Sequence, residues 1–227
     1  MIEFLFIDLD DTILDFKMAE RIAATKTIRS FGAEPTEEVL HRYHLINKWH
    51  WEQMELGKMT RQQVLEGRFQ KLFAELGMEV DAAACAVAYG NNLSQGHYFL
   101  PGAEEAVDAL SKKYRLFLAS NGTSHVQHGR LKSANLYRFF EKVFISHEIG
   151  HNKPSIEYFQ ACFAQIPDFD LSKAMIVGDS LSSDMKGGIN AGLKTVWVNP
   201  GHASSGDLNP DYEIENLTQL EALLEKL

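Results

Sequence analysis

The stretch Phe4-Leu5-Phe6-Ile7-Asp8-Leu9-Asp10-Asp11-Thr12 decides how the rest of this chain is read. Four apolar residues run straight into three carboxylates and a threonine. An uninterrupted apolar run of this length reads as a strand buried on both faces, the kind found in parallel sheets. Carboxylates clustered at a buried edge repel one another and lose hydration, so something must offset the charge. A divalent cation does this, and hard cations such as Mg²⁺ take oxygen ligands. In an extended segment Asp8 and Asp10 point the same way while Leu9 turns into the core. That sets a nucleophile and a proton donor side by side.

Outward from this strand, Glu3–Leu9, Arg115–Ala119, Lys142–Ile145, Ala174–Val177 and Lys194–Val198 are strand-like. Helical patterns lie over Ala103–Lys113, Ser124–Asn135, Ile156–Gln165 and Ser182–Ala191, with Gly192 placed to end the last of these. This alternation predicts an α/β fold with a Rossmann-like parallel sheet. The interval 16–98 contains no convincing strand. Val64, Leu65, Phe69, Leu72, Phe73 and Leu76 share one helical face, Thr60 and Gln63 fit a capping box, and Pro35 with Thr36, Glu37 and Glu38 marks another helix start. About four helices are expected there, as an inserted all-helical cap domain over the site, with 1–15 and 99–227 forming the catalytic core. Ala203–Pro210 is a polar loop and Leu217–Lys226 a closing helix.

Three further segments combine with the first. Leu116-Phe117-Leu118-Ala119-Ser120-Asn121-Gly122 is an apolar strand ending in small polar residues. Lys153-Pro154 is a lone cation in a turn. Ala174-Met175-Ile176-Val177-Gly178-Asp179-Ser180-Leu181-Ser182-Ser183-Asp184 is a third strand ending in acids and hydroxyls. All fall at the C-terminal ends of predicted strands, where open parallel sheets bind ligands. In order and spacing, DLDDT, SNG, KP and GDSLSSD resemble the four motifs of the haloacid dehalogenase-like hydrolase superfamily. Gly178 to Pro200, GDSLSSDMKGGINAGLKTVWVNP, resembles one branch of it, the small bacterial pyrimidine 5′-nucleotidases with a helical cap.

The resemblance implies a Mg²⁺-dependent phosphomonoesterase with an aspartyl-phosphate intermediate, acting on pyrimidine nucleoside or deoxynucleoside 5′-monophosphates. Asp8 is then the nucleophile and Asp10 the general acid and base. Dehalogenases of the superfamily lack an aspartate at the second position, so Asp10 points to phosphate transfer. Asp179 would hold Mg²⁺ together with the Asp8 carboxylate and the Asp10 backbone carbonyl. Asp184 and Ser180 would support the site from behind the ligands. Ser120, with the Asn121 and Gly122 amides, would hold phosphate oxygens, with a possible side-chain role for Asn121, and Lys153 would act as a point charge. Asp11, a turn residue or helix-start acid, is assigned no chemistry.

Two motif matches lead elsewhere and are set aside. His147-Glu148-Ile149-Gly150-His151 fits the H-E-x-x-H zinc signature, which needs a helix; Gly150 inside it and Pro154 beyond it argue against one. Gly178-Asp179-Ser180-Leu181 spells an esterase signature that requires a downstream Asp-x-x-His, and the one histidine after Ser180, His202, has Asn199 three residues before it. In the insertion, His44, Trp49, His50 and Trp51 either stack a nucleobase or fill the domain's core, and core filling is the favoured expectation. Trp49 and Trp51 cannot share a helix face.

Composition bounds the remaining classes. The 227 residues, 45% of them hydrophobic and 23% charged, suffice for a sizeable core. A net charge of −9 argues against a nucleic-acid polymer as partner. A small anionic phosphate ester must then be met by local charge. Cys85 and Cys162 lie in helical patterns, which suggests free thiols in a reducing compartment. The N-terminal run has no basic flank and breaks at Asp8, so no secretory signal is expected. No run approaches the roughly 18 apolar residues of a membrane span. A cytoplasmic location follows as an expectation, as a monomer or homodimer. Within phosphate chemistry the rivals are a phosphosugar phosphatase or mutase. A receiver-like signalling module also uses acids, Mg²⁺ and a lysine on a parallel sheet, but it has little use for a second acid that hastens turnover.

Overall fold

Phe4–Ile7 is buried at every position, as a strand covered on both faces requires. In the computed structural model, which describes residues 1–227, it is β1 of a six-stranded sheet. The others are β2 (Arg115–Ser120), β3 (Lys142–Ile145), β4 (Ala174–Gly178), β5 (Lys194–Val198) and β6 (Tyr212–Ile214). All pair in parallel, in the order β3-β2-β1-β4-β5-β6. The strand of the first acidic motif is therefore central, between the strands of the second and fourth. Alternate residues divide the two faces. Leu5, Ile7, Leu116, Leu118, Met175 and Val177 join one apolar layer, and Phe4, Phe6, Phe117, Ala119 and Ile176 the other. In the second layer Phe6 stacks on Phe117 at 5.3 Å between ring centroids.

The helices are α1 (Phe16–Ser30), α2 (Glu37–Glu55), α3 (Arg61–Glu75), α4 (Ala82–Leu93), α5 (Ala103–Ser111), α6 (Ser124–Ser133), α7 (Ser146–Ile149), α8 (Ile156–Phe163), α9 (Lys186–Ala191) and α10 (Leu220–Leu224). Two compact units result: Met1–Phe16 with His97–Leu227, and Lys17–Gly96. In the first, α5, α6 and α10 contribute to one apolar layer and α8 to the other. The chain turns after Leu14, which bridges antiparallel to Phe99 on its return. Gly192, at φ 77°, ends α9 in the left-handed conformation.

The second unit is all-helical. Thr36 caps α2 through the Val39 amide, and Thr60 and Gln63 form the expected capping box on α3. Its core is Tyr43, Phe69, Phe73 and Tyr89, with Tyr43 5.2 Å from Phe69 and 5.5 Å from Tyr89. Trp49 does not fill that core: it is 45% exposed, whereas His50 turns inward and bonds the Ile46 carbonyl at 2.7 Å. Buried Glu20 bonds His44 Nδ1 and accepts from Asn47 Nδ2, both at 2.6 Å, and Arg68 donates to Asn47 Oδ1 at 2.7 Å.

Three local features differ from the sequence expectation. β6 is an added edge strand in which Ile214 alone is buried. Leu181–Met185 is a wide π-turn, in place of the first helical turn expected from Ser182. Ser146–Ile149 is a helical turn where none was expected, but Gly150, at φ 83°, ends it before His151. The two histidines of the H-E-x-x-H match therefore do not share a helix. Cys85 and Cys162 are both free and buried, and no helix is long and apolar enough to cross a membrane.

Candidate active site

The carboxyl ends of β1, β2 and β4 deliver the site. Asp8 follows β1 directly, and its amide donates to the Val177 carbonyl of β4 at 2.9 Å. Lys153, on the loop between α7 and α8, is the side chain on which the site converges. It is 1% exposed, and its Nζ donates to Asp8 Oδ1 at 2.7 Å, Asp184 Oδ1 at 2.6 Å and the Ala119 carbonyl at 2.5 Å. An ammonium has three protons, so these acceptors use all of them. Asn121 fixes the lysine backbone: its Nδ2 donates to the Lys153 carbonyl and its Oδ1 accepts from the Lys153 amide, both at 2.8 Å. The Asn121 side chain is thus committed to the lysine loop, against its expected contribution to phosphate.

The π-turn explains how Asp184 joins the group. Ser180 caps it, its Oγ accepting from the Ser183 amide at 3.2 Å, while its own amide donates to Asp184 Oδ2 at 3.1 Å. The Asp184 and Met185 amides both donate to the Ser180 carbonyl, a widened turn that aims Asp184 back at Lys153. Gly178 makes the approach possible, since a Cβ there would lie 2.3 Å from Asp184 Oδ2. Asp179 is tethered through its backbone, whose carbonyl accepts from the Trp197 indole at 2.8 Å. Ligand atoms of Asp8, Asp179 and Asp184 lie within 4.8 Å of one another.

Asp10 sits apart from this knot. Its Oδ1 is paired with the Arg130 guanidinium and its Oδ2 accepts from Gln127 Nε2 at 2.7 Å. Ser120 Oγ, fully buried, accepts from the same Gln127 nitrogen at 2.8 Å and from the Gly122 amide at 3.2 Å. Asp11, at φ 52°, turns the chain, and its carboxylate accepts from the Phe16 amide at the start of α1. Sequence reading did not reach Gln127 and Arg130. The signal was available: Val126, Gln127, Arg130 and Leu131 repeat on one buried face of α6.

The electrostatics follow from too few cations. Burial, opposed by Lys153 and reinforced by Asp184 and Asp10, lifts Asp8 to about 8. Asp179 is held well above the usual carboxylate range by burial and by the charges of Asp8, Asp184 and Asp11. Burial disfavours the Lys153 charge, yet Asp184 and Asp8 outweigh it and keep the ammonium firmly protonated. Three carboxylates thus share one buried ammonium. An all-oxygen donor set with surplus negative charge fits a hard divalent cation, and a bound cation would reverse the sign of those shifts.

Residues 5–198 match the family model of the haloacid dehalogenase-like hydrolases. The chain is 38% identical to the HAD-hydrolase YfnB of Bacillus subtilis, over 97% of this chain and 94% of that one. A YfnB crystal structure described as bound to magnesium superposes with a TM-score of 0.94, covering 98% of each chain. Pyrimidine 5′-nucleotidases are also similar: PynA of Streptococcus pneumoniae at 35% identity, over 99% of this chain and 95% of that one, and YjjG of Escherichia coli at 30%, over 98% and 97%.

Proposed function

This chain belongs to the haloacid dehalogenase-like hydrolase family, and we propose that it is a Mg²⁺-dependent phosphomonoesterase working through an aspartyl-phosphate, with pyrimidine nucleoside 5′-monophosphates as its preferred substrates. The observation that carries the reading is the convergence of Asp8, Asp184 and Asp179 around Lys153 at the carboxyl edge of the sheet. The nucleotide preference rests on the similarity to PynA and YjjG.

Asp8, Asp179 and the Asp10 backbone carbonyl would hold Mg²⁺, with Asp184 close enough to join them. Bound there, the cation supplies positive charge that keeps the carboxylates ionised and balances the phosphate oxygens. Lys153 holds Asp8 in place and adds a second positive charge beside the phosphoryl group. An Asp8 carboxylate oxygen attacks phosphorus. The bond to the leaving oxygen breaks, and the Asp10 carboxyl gives that oxygen its proton. Asp10, now a carboxylate, takes a proton from the water that attacks the aspartyl-phosphate. The Asp8–phosphorus linkage breaks and inorganic phosphate departs. Ser120 and the Asn121 and Gly122 amides hold the phosphoryl oxygens, and Ser180 supports the loop of Asp179 and Asp184. The helical insertion, the compact unit Lys17–Gly96, is the part of the chain proposed to select the leaving group.

A hydrolysis screen over nucleotides and sugar phosphates tests this, with chelation and Mg²⁺ add-back. Asp8→Asn keeps the fold and loses turnover, while Asp10→Asn loses the acid and base function and accumulates phosphoenzyme only with esters whose leaving group departs without a proton. Full activity in excess chelator, or near-wild-type turnover by Asp8→Asn, overturns the mechanism. Sugar phosphates outperforming every nucleotide overturns the substrate preference alone.

A further inference from the structure

Asp10 ends a tight turn, and its side chain is 30% exposed, so the turn alone does not fix its orientation. Both of its carboxylate oxygens are nevertheless held, and both by one helix. Arg130, fully buried on α6, pairs with Oδ1, and Gln127, one turn earlier and also buried, donates to Oδ2. The two donors are themselves linked, since Arg130 Nη1 donates to Gln127 Oε1 at 3.2 Å. Gln127 Nε2 also reaches Ser120 Oγ, tying the Asp10 carboxylate to the end of β2. The backbone makes room for this: a Cβ on Gly122 would lie 2.4 Å from the Gln127 side chain. Arg130 further lies 5.8 Å from the Phe16 ring centroid. A fully buried guanidinium is costly to desolvate unless it has a partner. A buried arginine and glutamine that serve only to fill α6's inner face would be replaceable by apolar residues of similar volume.

We propose that Gln127 and Arg130 are positioning residues for the general acid, a rigid fork that takes one lone pair of each Asp10 oxygen and leaves the proton to be carried on a remaining one, aimed at the leaving oxygen. The inference rests on the phosphatase reading above and extends it to two residues outside the four motifs. It requires that the leaving-group-dependent part of their effect run through Asp10: Arg130 makes this contact directly, whereas Gln127 also holds Ser120 Oγ, so a share of its loss falls on both esters alike. Their loss must then weigh most on substrates whose leaving group needs a proton. p-Nitrophenolate departs readily without one, and an alkoxide does not.

The test compares kcat/KM, which reports the first phosphoryl transfer, on p-nitrophenyl phosphate and on the alkyl phosphate turned over fastest by the wild type. Misaimed acids lose on the order of 100-fold. Gln127→Leu and Arg130→Met are expected to lose about that much on the alkyl ester and at least about tenfold less on the aryl ester. Arg130→Lys, which keeps the charge on a single donor nitrogen, recovers part of the alkyl activity. In the Asp10→Asn background Arg130→Met causes no further loss, because the group it positions is already gone. Equal losses on both esters, or losses that multiply in the double variant, overturn the proposal. If Arg130→Met does not fold, Gln127→Leu and Arg130→Lys decide by the same ratio. A wild type inactive on every phosphate ester would instead overturn the phosphatase reading; a wild type that is active with an unchanged ratio in the variants overturns the positioning role alone.

Discussion

In protein held free of divalent cations, Asp8, Asp179 and Asp184 have one ammonium among them, and pH is expected to govern stability. Burial, opposed by Lys153 and reinforced by Asp184 and Asp10, lifts Asp8 from 3.8 to about 8. Between those values the folded chain keeps a proton that the unfolded chain has released. Stability therefore falls as pH rises through that window, and the loss is complete above about 8. At about 1.4 kcal/mol per pKa unit, the window amounts to something on the order of 5 kcal/mol. Asp179, raised chiefly by burial, acts in the same direction. Metal binding competes with those protons, so Mg²⁺ stabilises most where the carboxylates are ionised. At 100 times Kd the linkage contributes about 2.7 kcal/mol, and for a chain of this length each kcal/mol moves Tm by roughly 2–4 °C. Thermal unfolding in chelator should show Tm falling from about pH 5.5 to 8.5. Added Mg²⁺ should raise Tm by about 5–10 °C at pH 8 and by much less at pH 5.5. A chelated protein whose Tm is flat or rises over that range, with equal Mg²⁺ responses at both ends, would refute the reasoning.

Gly178→Ala forces a Cβ to within 2.3 Å of Asp184 Oδ2. Overpacking of this kind costs about 1–3 kcal/mol, and the displaced Asp184 should also weaken Mg²⁺ binding, both measurable by titrating Mg²⁺ against Tm. Glu20→Ala leaves the buried Asn47 amide and the His44 ring without their shared acceptor. That should cost about 1–3 kcal/mol, read as a lower urea midpoint, and an unchanged midpoint would deny the network a structural role. If exposed Trp49 stacks a nucleobase, Trp49→Ala should cost about 1–3 kcal/mol of nucleotide binding and spare p-nitrophenyl phosphate; equal losses on both substrates exclude stacking.

What the sequence disclosed and what it hid divide along physical lines. β1 to β5 were legible because a strand covered on both faces carries a short apolar run, and the acids that follow β1 and β4 break that run. β6 was not, because three residues at a sheet edge with one buried side chain carry no period. The Leu181–Met185 π-turn departs from helical spacing by one residue, which a helical pattern absorbs without trace. Arg130 and Gln127 lay outside the four motifs, and although their place on α6's buried face was legible, the partner that explains their burial, Asp10, lies 120 residues from Arg130 in sequence. Asn121 shows the converse. Its place in a motif suggested ligand contact, and its side chain is spent on the backbone of Lys153.

The bond from the Trp197 indole to the Asp179 carbonyl also places an intrinsic chromophore on the loop of the site. Trp197 is nearly buried, on the core strand β5, whereas the other two tryptophans, Trp49 and Trp51, belong to the helical insertion. Indole emission responds to the electric field along the ring and to the strength of its N–H bond. Converting Trp49 and Trp51 to phenylalanine leaves a single chromophore attached to the loop that carries Asp179. If the proposed mechanism holds, cation binding, phosphoenzyme formation and phosphate release are expected to change its emission separately in stopped flow, with no label added to the enzyme.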